Sequence, residues 1–111
     1  METAEVYFAR RQAMLDAGTL PQIEETLAGG SKRHHTIEAF TYLVESHYPK
    51  KALTVERFWN EELNSSDYRV GYYRVYEDEH WQFGRWALTC TLSNLSMLLA
   101  KAVVEGTILS A

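Results

Sequence analysis

The chain is expected to fold as an α+β domain: mainly helical, with about five helices and one antiparallel β-hairpin near residues 68–92 packed on a C-terminal helix. Three observations lead there. Apolar residues recur at helical spacing in several separate windows. One aromatic stretch, Tyr68 to Trp86, interrupts them and holds seven of the fourteen Phe, Tyr and Trp residues. A composition of 46% hydrophobic and 23% charged residues over 111 positions suits one globular domain, residues 1–111, with a real core.

The first helix is expected over residues 3–17. Ala4, Tyr7, Phe8, Met14 and Leu15 fall near one face, and Gly18 can close the helix in a left-handed conformation. Thr19 and Gln22 fit a capping box, with Pro21 in the first turn. They open a short second helix that carries Ile23 and Leu27 and stops at Gly29-Gly30. Ser31 to His35 is a polar, basic connector. A third helix over 36–47 turns Ile37, Phe40, Leu43 and Val44 inward, and Pro49 ends it.

Thr54 is the expected N-cap of a fourth helix, with Glu56 in its first turn and a Leu53–Phe58 staple. Val55, Phe58, Trp59 and Leu63 form its stripe. The aromatic stretch then makes the hairpin, with Glu77-Asp78-Glu79-His80 as its loop and Tyr76 opposite Trp81. In that register Tyr68, Val70, Tyr72, Arg74 and Tyr76 share the core face with Trp81 and Phe83. A bulge at Gly84 would bring Trp86, Leu88, Cys90 and Leu92 onto the same face. Tyr73 and Val75 fall on the outer face, beside Arg69 and Arg85. Thr107 to Leu109 can add a short third strand. The last helix, about 93–105, carries Leu92, Leu95, Leu98, Leu99, Ala102 and Val103 as its stripe. Met97 and Val104 widen that stripe, and Gly106 caps the helix.

Composition and motifs exclude several functions. One cysteine, Cys90, allows no internal disulfide and points to a reducing, cytoplasmic home. No signal-peptide pattern or membrane-length apolar run is present. The four histidines, His34, His35, His47 and His80, make no ligand spacing, so neither a metal nor another cofactor is expected. Cys90 alternates with Leu88 and Leu92 and reads as a structural thiol. Gly29-Gly30-Ser31 lacks the spacing of a phosphate loop. No catalytic residue is nominated.

Charge ranks what is left. The formal net charge is −4. The segment from Thr54 to Glu79 is acidic, and Glu61, Glu62, Glu77, Asp78 and Glu79, with Tyr73, are the candidate protein-binding residues. The expected function is a small acidic, non-enzymatic binding protein that regulates or inhibits a protein partner. Small inhibitor and immunity-type proteins of bacteria and phages share that size and sign. A homodimer is expected from the broad apolar last helix and the open hairpin edges. The alternative is a winged-helix DNA-binding regulator, with Lys32, Arg33, Lys50 and Lys51 on phosphate. Its recognition helix and wing tip would carry the wrong charge. A small enzyme without a recognisable motif is the second alternative.

Overall fold

Both terminal helices form where the sequence places them. In the computed structural model, which describes residues 1–84 and 86–109, helix α1 spans Ala4–Asp16 and helix α2 spans Leu92–Val104. The Thr3 hydroxyl accepts from Val6 N–H and the Thr91 hydroxyl from Asn94 N–H, so each helix begins on a threonine cap. Each ends on a glycine, Gly18 at φ +74° and Gly106 at φ +81°, a conformation that an L side chain resists.

From Ile23 to Phe83 the chain between the helices forms one sheet. Strands β1 (Ile23–Thr26), β2 (Lys32–Glu45), β3 (Tyr48–Asn60), β4 (Ser65–Val75) and β5 (Trp81–Phe83) form an antiparallel meander in sequence order. The sheet curls into a half-barrel with one helix on each face. Thus the protein is α+β but not mainly helical, and the expected helices over 19–28, 36–47 and 54–63 are corrected to β1, β2 and β3.

The reason lies in coverage of both faces. Phe40, Tyr42 and Val44 of β2 pack with α1, whereas Leu43 packs with the α2 cluster. In β3, Ala52, Leu53, Thr54, Val55 and Glu56 are all essentially inaccessible. A strand covered on both sides loses its polar–apolar alternation, and apolar residues of both parities then imitate helical spacing. Thr54 is therefore a mid-strand residue of β3, not a helix cap.

The α1-side core holds Ala4, Tyr7, Phe8, Ala52, Tyr73, Val75 and Trp81, with Phe8 stacked on Tyr42 at 4.3 Å between ring centres. On the α2 side Leu98 and Ala102 close on Leu53, Val55 and Tyr72. Truncating a leucine buried like Leu53 or Leu98 costs about 2–5 kcal/mol.

The hairpin exists, in a different register. Val75, not Tyr76, pairs with Trp81, and Tyr73 pairs with Phe83. A shift of one residue exchanges the faces. Trp81 and Phe83 thus lie with Tyr73 and Val75 under α1, while Tyr72 lies on the α2 side. Strand β5 stops at Phe83, and Gly84 continues the pairing by donating its N–H to the Tyr72 carbonyl at 2.7 Å rather than bulging. Its lack of a side chain is needed, because a Cβ there would meet the Tyr72 ring. Thr107 to Leu109 form no strand; Thr107 is buried against Thr41. The position expected for Arg85 lies outside the described residues.

Candidate functional site

The structure scatters the residues that the sequence nominates. Glu61 and Glu62 lie in the turn from β3 to β4, and Glu77, Asp78 and Glu79 in the turn from β4 to β5. These turns cap opposite ends of β4, about 33 Å apart by strand rise. Glu62 pairs with Arg33 at 2.8 Å. Asp78 serves its own turn, accepting from His80 N–H and from the Gln82 amide. Tyr73 is 4% exposed, so it offers no contact surface. The basic residues are equally divided. Lys32 pairs with Glu24, while Lys51, near the far end of the sheet, holds the Thr89 carbonyl and lies 3.8 Å from Glu45. Lys50 is exposed beside it.

Among the described residues the interior holds a charged cluster centred on Glu56. Glu56, 1% exposed, accepts from Arg69 at 2.8 Å and from the Tyr73 hydroxyl at 2.8 Å. Arg11 of α1 approaches Glu56 at 3.7 Å and donates to the Tyr73 oxygen at 3.1 Å. Burial, reinforced by Glu56, pushes the Tyr73 hydroxyl far above the usual tyrosine range. Each partner satisfies another, and the two grooves described below do not reach Glu56. The cluster fastens α1 to the sheet.

The accessible site lies at the edge of β2. Strand β1 covers that edge only from Lys32 to His35. From Thr36 to Glu45 the outer side of β2 pairs with no strand among the described residues. A groove of about 600 Å³ runs there, between α1 and the end of α2. Phe8, Phe40 and Tyr42 form its apolar floor. Its acidic lining residues are Glu5, Asp16, Glu38 and Glu105, and among the described residues no Lys or Arg lines it. Glu38 is held by Ser66 at 2.7 Å and Arg57 at 3.3 Å, and Glu105 accepts from Thr41 at 2.9 Å. Burial raises the Tyr42 hydroxyl above its ordinary value, and Glu5 and Glu105 add to the effect, which registers the negative field of the groove.

Lys101 of α2 donates to the Tyr42 main-chain carbonyl at 2.6 Å, with its ammonium 4.6 Å from the Tyr42 ring centre. A lysine on an open strand is a common guard against unwanted pairing. The contact also marks Tyr42 as a residue whose main chain faces outward. By the alternation of antiparallel pairing, Phe40 and Val44 face outward too. The four groove carboxylates come from α1, β2 and the end of α2, so no local charge run announces them.

A smaller groove of about 370 Å³ lies at the other end of β2, lined by Arg33, His34, His35, Asn60, Glu61 and Glu62. His35 is buried against Phe58 and lies 3.3 Å from a Glu25 oxygen. Among the described residues no cluster of His, Cys, Asp and Glu could hold a metal ion.

A separate surface is apolar. The expected inward stripe of α2 buries only Leu98 and Ala102 completely. Leu92 is 79% exposed and Val104 86%, and Met97, Leu99 and Val103 are exposed as well. On the helical wheel Leu92, Leu99 and Val103 form one row and Met97 and Val104 another, with Ser93, Ser96 and Ala100 between them. Lys101, the one charged residue within α2, turns away to Tyr42. Among the described residues no helix is long and apolar enough to cross a membrane. No protein family, curated protein or solved structure matches this chain.

Proposed function

We propose that this chain is a non-enzymatic binding protein that regulates or inhibits a protein partner, and that the partner docks at the β2 edge. One observation carries the reading: β2 leaves its main chain open from Thr36 to Glu45, beside an aromatic, acidic groove. An open edge with side-chain subsites beside it is how sheets recruit extended segments of other proteins. A reducing, cytoplasmic setting goes with the single free Cys90. The winged-helix alternative loses its support, because the third and fourth helices expected from the sequence, which would have formed its helix-turn-helix, are β2 and β3. Capture from host lysate, with and without nuclease treatment, tests the reading. The bait is used as wild type and as Ala9→Arg/Gln12→Arg, which places two long cations on the exposed α1 wall of the groove. A protein retained by the wild type and lost by the variant is expected. Equal capture by both baits, or elution of nucleic acid alone, would reject it.

Self-association through α2 is a second reading, favoured by the uncharged outer face of that helix. In a molecule of net charge −4, two copies meet there without like-charge repulsion. The small central row, Ser93, Ser96 and Ala100, lets two such helices approach closely about a twofold axis.

A further inference from the structure

We infer that the β2-edge groove takes an extended segment whose side chains alternate between apolar and Lys or Arg, added to β2 as a further strand. The inference rests on the groove being the partner site and names the chemistry of what enters it. The outward main chain at Phe40, Tyr42 and Val44 offers a short ladder, enough for about five to seven residues of a partner strand. Successive side chains of that strand point to opposite faces of the sheet. Those directed toward α1 meet Phe8, Phe40 and Tyr42 and are therefore apolar at the centre of the segment.

Side chains directed toward α2 meet Glu38 and Glu105. Both carboxylates are fixed by neighbours, Glu38 by Ser66 and Glu105 by Thr41. Each already has one cation near it, Arg57 at 3.3 Å from Glu38 and Lys101 at 3.9 Å from Glu105, and can receive a further one without first being ordered. Glu5 and Asp16 close the α1 rim, so an acidic segment would be repelled along the whole groove. Lys101 occupies the Tyr42 carbonyl in the free protein. The arriving strand replaces that bond with its own N–H, and the released ammonium already lies 3.9 Å from Glu105.

The test uses labelled nine-residue probes read by fluorescence anisotropy. One alternates Lys and Val, a second alternates Glu and Val, and two more are the basic probe N-methylated at every second residue in either phase. The basic probe is expected to bind the wild type. The acidic probe, one of the two N-methylated phases and the Ala9→Arg/Gln12→Arg protein should each bind at least about tenfold more weakly. The variant is first shown to keep the wild-type circular dichroism. Equal loss with both N-methylated phases, or none with either, overturns strand addition. Equal binding of basic and acidic probes overturns the charge assignment. If no probe binds while the lysate partner is still lost by the variant, the groove stands as the partner site and this strand chemistry fails. If the variant also keeps the lysate partner, both fail.

Discussion

Glu56 holds Arg69 and the Tyr73 hydroxyl from the middle of β3, with Arg11 beside them, in surroundings almost closed to water. Removing one member of such a cluster strands the others without partners. Glu56→Ala is expected to lose about 3–5 kcal/mol in urea denaturation. A loss below about 1 kcal/mol would mean that water reaches the cluster. Tyr73 makes a pH-dependent contribution. Unfolded tyrosines ionise near pH 10, whereas Tyr73 stays protonated in the fold because burial and Glu56 oppose its ionisation. The unfolded chain then releases a proton that the folded chain keeps, so stability falls as pH rises past about 10. In Tyr73→Phe the stability lost between pH 10 and 11, measured by denaturation, should be smaller by about 1 kcal/mol. An identical slope in both proteins would contradict the assignment. None of this was legible in the sequence. Glu56 looked like a first-turn helix carboxylate, and Tyr73 like an outward residue.

At the level of elements, the ends of the chain were readable and the middle was not. Gly18 and Gly106 are local signals that mark the observed C-terminal ends of both helices, whereas the threonine caps Thr3 and Thr91 were not singled out. Strands β2 and β3 carry no such punctuation of their type. Each packs α1 on one face and α2 on the other, and their apolar residues therefore fall on both parities. Phe40, Leu43 and Val44 satisfy a helical template while sitting in a strand. The hairpin was visible from its aromatic content, but its pairing missed by one residue, which sent Tyr73 and Val75 inward with Trp81 and Phe83. The exposed rows of α2 were misread for a related reason. The helix is apolar on nearly every side, and spacing alone could not say which side meets the sheet. Gly84 tests the packing of the hairpin. Gly84→Ala drives a methyl into the Tyr72 ring and should cost about 1–3 kcal/mol, seen as a lower melting temperature. An unchanged melting temperature would show that β4 and the segment after Phe83 are not held this closely.

Across the whole molecule, charge is arranged by folding rather than by runs of sequence. The acidic turns 61–64 and 76–80 end up at opposite ends of β4, while Glu5, Asp16, Glu38 and Glu105, far apart in the chain, converge on one groove. The same assembly leaves two surfaces in complementary roles. In the proposed reading the outer face of α2 is where a second copy would dock, and the β2 edge stays free for the partner. Light scattering should therefore report twice the chain mass for the wild type and the single-chain mass for Val103→Glu/Val104→Glu, with unchanged circular dichroism. A wild-type monomer at all concentrations would remove the dimer and leave the groove untouched. The central claim is that β2 accepts a strand from outside. Hydrogen exchange followed by NMR, with and without the alternating Lys–Val probe, tests it most directly. The outward amides of Phe40, Tyr42 and Val44 should exchange quickly in the free protein and become protected in the complex. The inward amides of Thr41 and Leu43, already bonded to β3, should change little. Protection that appears elsewhere, or outward amides that are already slow in the free protein, would contradict the account.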